Sequence, residues 1–365
     1  MIENSNFRKV SNRMKKKMNL TKSTKSTLIT IGMVVVAYII MTILTNAGAL
    51  SSLMKGLLVP LCIYAIIAVA LNLTVGILGE LSLGHAGFMC VGAFSSAFFS
   101  LCFKETMAAG PRFLLAIIIG AVVSALFGLL IGIPVLRLQG DYLAIVTLAF
   151  GEIIKNVINV LYVGRDGNGI HISLKDARSL NLEEGGQVLI NGAQGITGTP
   201  HDSNFTVGVV LLVLTLIIVL NLINSRPGRA IMAIRDNRIA AESVGINITK
   251  YKLLAFSISA GLAGLAGVLY AHNLSILQAQ PKNFGYNMSI MILVYVVLGG
   301  IGNIRGSVIA SIILVLLPEL MRELNDYRML IYSVVLIGIM LFSWSPKAKL
   351  FKEKYSLKRL LKKGN

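Results

Sequence analysis

The chain has 365 residues, of which 55% are hydrophobic and only 14% charged; its mean hydropathy is +0.76 and its net charge +18. A water-soluble protein would carry about 25% charged residues, so the composition excludes a soluble domain and dissolves most of the chain in lipid. The basic excess is gathered at both ends of the chain and in one internal island, which makes it a topology signal rather than a nucleic-acid footprint.

Residues 1–27 are a basic tail with eight Lys or Arg. That lead is too long for the n-region of a signal peptide, so the apolar run Leu28–Leu44 reads as an uncleaved first span. Leu57–Gly76, Leu83–Phe103, Phe113–Leu136 and Tyr142–Tyr162 follow as further spans. These runs are continuous rather than alternating, so they predict helices crossing about 30 Å of hydrocarbon, not barrel strands. Cys62, Cys90 and Cys102 lie in or beside spans without metal-ligand spacing and read as packing residues.

Between the second and third spans lies VGILGELSLGHAGF, Val75–Phe88, a Gly-broken junction without a proper polar loop. It predicts a tight turn or re-entrant backbone, which lipid forbids unless it lines a cavity. Gly79, Ser82, Gly84 and His85 fall within it. His85 reads as a hydrogen-bonded packing histidine before it reads as a titrating switch. Asn72, one turn earlier, is placed to satisfy freed backbone groups, and Asp141 after Gly140 reads as the N-cap of the fifth span. Glu152 falls about 15 Å into that span, with Lys155 at i+3 on the same face. Such a pair faces protein or water, either as a neutralised helix clamp or as a pathway or gating group.

A polar loop at about 163–204 comes next, and its length suggests a surface for an external partner, or a connection draped over the outer face. Phe205–Ile223 is the sixth span. The loop at about 225–252 then holds the island RPGRAIMAIRDNRIAAESVGINITKYK, Arg226–Lys252. Gly228 permits a break, Ala230 to Val244 predict one helix, and Gly245 is suited to end it. Arg235, Arg238 and Glu242 share a face, with Arg238 and Glu242 spaced for an ion pair. Ala233, Ala240, Ala241 and Val244 form a small-residue strip, and Asp236 lies among the charges. The readings are a helix for a partner's groove or an amphipathic helix lying on the membrane.

Leu253–Ala271, Met288–Leu298, Ser307–Leu320 and Met329–Trp344 complete ten runs, two of them short. LGGIGNIRGS, Leu298–Ser307, is a second Gly-broken junction, with Gly299, Gly300 and Asn303. Interrupted segments in two halves are a pointer to a transport pathway, or they are simply two short helical hairpins. Residues 346–365 are a second basic tail. Both tails, the island, Arg137 and Arg305 hold 24 of the 34 Lys and Arg, so both termini and the island are expected inside. The expected fold is all-α and polytopic, about ten helices, N-in and C-in, with residues 28–345 as the membrane domain. No phosphate loop or HExxH is present, and the histidines are scattered at 85, 171, 201 and 272, so no catalytic, cofactor or metal site is expected.

Four blocks in order resemble one family: GELSLGHAGFMCVGAF (79–94), GDYLAIVTLAFGEII (140–154), GRAIMAIRDNRIAAESVGINITKYKLLAF (228–256) and VVLGGIGNIRGS (296–307). They are similar to LivM-type permeases of branched-chain amino acid ABC importers, over about residues 55–345. The resemblance implies a bacterial plasma-membrane subunit without its own ATPase. It also implies a second permease subunit, two cytosolic ABC ATPases and an extracytoplasmic solute-binding protein as partners. Ala240-Ala241-x3-Gly245 matches part of the coupling-helix motif of such importers, whereas Ile239 stands where Glu is common and no Ile-x-Leu-Pro follows. Gly228, Arg235, Asp236, Arg238, Ala240, Ala241, Glu242 and Gly245 are thereby the expected ATPase-coupling residues. Within the same superfamily, urea, short amides or another amino acid remain alternative substrates. An ion-coupled carrier is the alternative of a different class, with Glu152 its single candidate acid.

Overall fold

The computed structural model describes residues 22–344, apart from 139, 168, 184 and 322–326. Most of the expected basic tails, 1–21 and 345–365, therefore lies outside the described residues. The helices are α1 Lys22–Asn46, α2 Ser52–Asn72, α3 His85–Cys102, α4 Ala109–Val135, α5 Asp141–Asn159, α6 Phe205–Asn224, α7 Arg226–Asp236, α8 Arg238–Ser243, α9 Ile248–Ala271, α10 Pro281–Phe284, α11 Tyr286–Gly299, α12 Ile304–Leu320 and α13 Arg328–Trp344. Each of the ten apolar runs coincides largely with one of these helices. Six are long and apolar enough to cross a membrane: α1, α2 with its extension, α3, α4, α6 and α9. The last three runs form helices of 14, 17 and 17 residues, and α5 carries three charges, Asp141, Glu152 and Lys155.

The core is built on α2, α3 and α9. Ser51 caps α2, its hydroxyl accepting the Met54 N–H at 3.3 Å, and Ile63 and Ala65 to Leu71 are almost wholly buried. Such a helix is apolar all round because protein surrounds it. Helix α9, ITKYKLLAFSISAGLAGLAGVLYA, replaces bulk with Gly and Ala, so neighbouring backbones close in. A Cβ placed on Gly267 would lie 2.0 Å from the Met89 carbonyl oxygen of α3. Gly267→Leu is therefore expected to destabilise the bundle by more than about 3 kcal/mol, the upper end of ordinary over-packing costs. Loss of the monodisperse peak of the detergent-solubilised protein is the readout. By contrast, α1 keeps Ile29, Val36, Ile40 and Ile43 outward, as a lipid-facing helix does.

The loop at about 163–204 corrects the all-α expectation. Strands β1 Tyr162–Asp166, β2 Gly169–Ser173 and β3 Gln187–Asn191 make an antiparallel sheet in the order β2-β1-β3. Strand β4, Ile196–Thr197, pairs with β5, Ile276–Leu277, beyond α9. Gly169 N–H donates to the Asp166 carboxylate at 3.1 Å and helps close the β1–β2 hairpin. Arg112 at the start of α4 pairs with Asp202 at 2.9 Å, which ties the end of this loop to the bundle. A small correction falls on Asp141: Gly140 is the cap of α5 and Asp141 its first helical residue, where a carboxylate favours the N-terminal dipole.

Candidate functional site at the paired junctions

The island folds as two helices, not the single helix expected over Ala230–Val244. Asn237 breaks the run with extended backbone, and its side chain accepts the Ala240 N–H at 3.0 Å as the cap of α8. Asn favours caps over helix interiors because its amide competes for backbone groups. Among the described residues no Arg238–Glu242 ion pair forms. The break after α6 is made by Ser225, whose hydroxyl accepts the Gly228 N–H at 3.2 Å, with Pro227 in the first turn. Gly228 serves closeness instead: a Cβ there would lie 2.0 Å from the Leu222 carbonyl oxygen. Gly245 ends α8 as expected, with φ +82 and open space beside it. Its N–H donates to the Glu242 carbonyl.

The small-residue strip divides between two faces. Ala241 is buried against Ile234 and Ile248, with Ala233 beside them. Arg238, Ile239, Ala240, Glu242 and Val244 are exposed. Ile239 is 81% and Val244 74% exposed, a pair of apolar knobs on an otherwise polar helix end.

Arg235 does not join that outer face. Its Nη1 donates to the Gly76 carbonyl oxygen at 2.9 Å. Asp236 steadies the guanidinium by accepting from Nε at 3.1 Å and from Nη2 at 2.9 Å. Gly76 lies in a π-helical turn, Leu73–Leu78, which continues α2 and frees backbone groups of the ordinary helical ladder. Gly79 closes that turn at φ +82. A Cβ on it would meet Arg235 Cγ at 2.4 Å, so the absence of a side chain lets the Arg235 stem lie flat on the junction.

The two Gly-broken junctions are brought together. Asn72, fully buried, accepts the Gly302 N–H on Oδ1 at 2.8 Å and donates from Nδ2 to Ser307 Oγ at 2.7 Å. A Cβ on Gly76 would lie 2.3 Å from the Gly302 nitrogen. Gly299 and Gly306 meet backbone to backbone where α11 turns into α12. Gly300, at φ +93, makes the turn, and Asn303 caps α12 by accepting the Gly306 N–H at 3.3 Å. The rest of the first junction is stitched elsewhere. Leu83 N–H donates to Thr147 Oγ1 of α5 at 3.0 Å, and a Cβ on Gly84 would strike the Thr147 carbonyl. His85, buried, bonds Ser259 Oγ of α9 at 2.7 Å and faces buried Ser82 at 3.4 Å. This is the geometry of a packing histidine. Glu80 pairs with Lys252 at the start of α9, both largely buried.

Glu152 stands apart, about midway along α5. One carboxylate oxygen takes Lys155, and the other accepts the Tyr286 N–H, the first of α11, at 2.7 Å. Of the contacts above, sequence reasoning missed Gly76, Gly302, Ser307 and the Glu80–Lys252 pair. Opposite charges flanking spans on one membrane side were the available signal for the last. Nothing in the sequence showed which carbonyl Arg235 reaches.

Comparison with known proteins adds the following. Residues 53–343 match the family model described as branched-chain amino acid transport system / permease component. The chain is 36% identical over 299 residues to the high-affinity branched-chain amino acid transport system permease protein LivM of Salmonella typhimurium, covering 79% of this chain and 68% of that one. It is 36% identical over 297 residues to the protein of the same name in Escherichia coli K12, with the same coverage. It is 26% identical over 186 residues, 45% of this chain and 51% of that one, to the autoinducer 2 import system permease protein LsrC of Yersinia pseudotuberculosis. No solved structure matches the chain at a significant level.

Proposed function

The chain belongs to the family of permease components of branched-chain amino acid transport systems, and from that premise we propose that it forms half of the membrane pathway of an ABC importer for leucine, isoleucine and valine. It is a multi-pass inner-membrane subunit, and the amino acids of its LivM relatives are the first substrates to test. ATP is hydrolysed by two partner ATPases, an external binding protein delivers the amino acid, and a second permease completes the pathway. Ten helices then cross the membrane with both termini inside.

The observation that carries the mechanism is the Arg235 bond to the Gly76 carbonyl. Helices α7 and α8 form the cytoplasmic coupling element, with Gly228, Arg235, Asp236, Arg238, Ala240, Ala241, Glu242 and Gly245 as its working residues. Ile239 and Val244 are its apolar contacts to an ATPase groove. Closure of the ATPases displaces this pair, Arg235 passes the displacement to the first junction, and Asn72 passes it to the second. The permease needs only two arrangements a few kcal/mol apart, which the partner biases. The junction residues Asn72, Gly79, Ser82, Gly84, His85, Gly299, Gly300 and Asn303 are the gate side of this linkage, whereas Glu152 belongs to the passage.

The test is uptake of radiolabelled leucine, isoleucine and valine into proteoliposomes holding the complete complex and its binding protein. Uptake that requires ATP is the expected result. Hydrolysis without movement of any of the three removes the amino-acid assignment, and gradient-driven uptake without ATP removes the importer reading. The likeness to permeases named for autoinducer 2 import supports a second reading, a different small solute on the same framework.

A further inference from the structure

Helix α11 has 14 residues, about 21 Å of rise, against about 30 Å of hydrocarbon. The chain before it holds one four-residue helix, α10, set off on either side by extended backbone at Gln280 and Gly285. Beyond β5, Ala279 is held at the outer end of α5, its carbonyl accepting from Asn159 Nδ2 at 3.0 Å. Tyr286 is held by Glu152, seven residues deeper along α5, or about 10 Å. Residues 279–286 therefore descend into the membrane as a re-entrant segment with one short turn, α10. This segment is polar and its surface is open: Gln280, Lys282, Tyr286 and Asn287 are exposed, and Asn283 is half-buried. Asn156 of α5, one turn above Glu152, is exposed beside it.

Irregular backbone and exposed polar side chains at this depth are not tolerated against lipid, only against protein or a water-filled cavity. Below them the same faces turn apolar, with Ile290 on α11 and Ile145 and Tyr142 on α5 exposed. We infer that the segment 279–287, with Glu152 and Asn156 of α5, is the wall of the passage that holds the charged backbone of the amino acid. Glu152 receives the α-ammonium, Lys282 draws the α-carboxylate, and the apolar faces below accept an aliphatic side chain. Glu152 is suited to this because Tyr286 and Lys155 use only part of its acceptor capacity, and its side chain remains 24% exposed. Lys155, 7% exposed, pairs with it from behind. The role of Glu152 rests on the importer reading above; the wet wall does not.

Two measurements test the inference on the complete transporter in proteoliposomes. In the first, Asn156→Cys, Lys282→Cys and Asn287→Cys are exposed to a membrane-impermeant methanethiosulfonate reagent in nucleotide-free, ATP-bound and vanadate-trapped states. Leu126→Cys on the outward apolar face of α4 is the lipid control, and the parent chain is the blank. The passage positions are expected to react, at rates that change with nucleotide state. Reactivity as low as that of Leu126→Cys in every state overturns the wall. This result is independent of which solute is carried.

The second measurement separates binding from support. Glu152→Gln keeps the acceptor for Tyr286 but leaves Lys155 charged and unpaired, and is expected to raise the KM for leucine about tenfold or more. Glu152→Gln/Lys155→Met removes the orphaned charge and is expected to regain thermal stability while uptake stays impaired. Recovery of uptake together with stability would show a helix clamp and overturn the ammonium site.

Discussion

Arg235→Ala in the complete transporter will leave ATP hydrolysis running while amino-acid uptake collapses. The substitution removes the side chain that bonds α7 to the first junction, through the Gly76 carbonyl and the flat surface of Gly79. It leaves the exposed face of α8, with Ile239 and Val244, available to a partner. A lost coupling of about 1–3 kcal/mol corresponds to about 5–150-fold in the linked equilibrium. The ratio of leucine moved to ATP hydrolysed is therefore expected to fall at least about fivefold. Arg235→Lys should recover little, since a point ammonium cannot hold both Gly76 and Asp236 in the planar fork of a guanidinium. An unchanged transport-to-hydrolysis ratio in Arg235→Ala would remove this arginine from the linkage.

The second large effect is at Asn72. Asn72→Leu keeps the branched outline and the number of heavy atoms, but it leaves the half-buried Gly302 N–H without its acceptor and unties Ser307. Ser307 retains a long contact to the Asn303 carbonyl at 3.4 Å, so most of the cost falls on Gly302. An orphaned buried donor costs about 1–3 kcal/mol, and the melting temperature of the purified chain should drop by about 2–4 °C for each kcal/mol. The junctions would then move separately, so uptake should fall by more than the stability loss explains. Asn72→Asp tests the geometry: it keeps the acceptor for Gly302, loses the donor to Ser307 and buries a charge. If Asn72→Leu melts and transports as the parent chain does, the two junctions are neighbours without being linked.

How much of this was legible beforehand depended on which kind of signal each feature leaves. Long apolar runs found the helices, because lipid imposes length and composition directly. The junctions were legible as glycine where a polar loop was due. That they meet was not, because Asn72 and Gly302 are 230 residues apart and neither has a pattern around it. The island was misread as one helix because propensity averaged over Ala230–Val244 outweighed a single Asn237 whose cap bond breaks the run. Periodicity then put Arg235 on a face with Arg238 and Glu242, and the break turned it to the membrane side. The re-entrant segment left the weakest trace. Gln278 to Asn287 falls between two apolar runs with no motif to set its depth, and the Tyr286–Glu152 bond reveals it. Glu152 was visible as a charge inside a span, with Lys155 beside it, but its second partner was a backbone amide, which no residue name announces.

The β4–β5 pair has a consequence for how the surface around it can vary. Thr197 and Ile276 face one another across that pair, Gly198 N–H bonds the Ser275 carbonyl at 3.0 Å, and His201 bonds Ser275 at 2.8 Å. Two residues beyond β5 the re-entrant segment begins. Surface loops ordinarily tolerate insertions and deletions, but here the stretch between β3 and α6 shares a hydrogen-bonded edge with the chain that dips beside Glu152. Lengthening or trimming it would reset the depth at which that chain enters the bilayer. Variation among homologues should therefore accumulate at the β1–β2 tip and spare 195–203, so that the tip diverges freely while the hinge edge keeps its length.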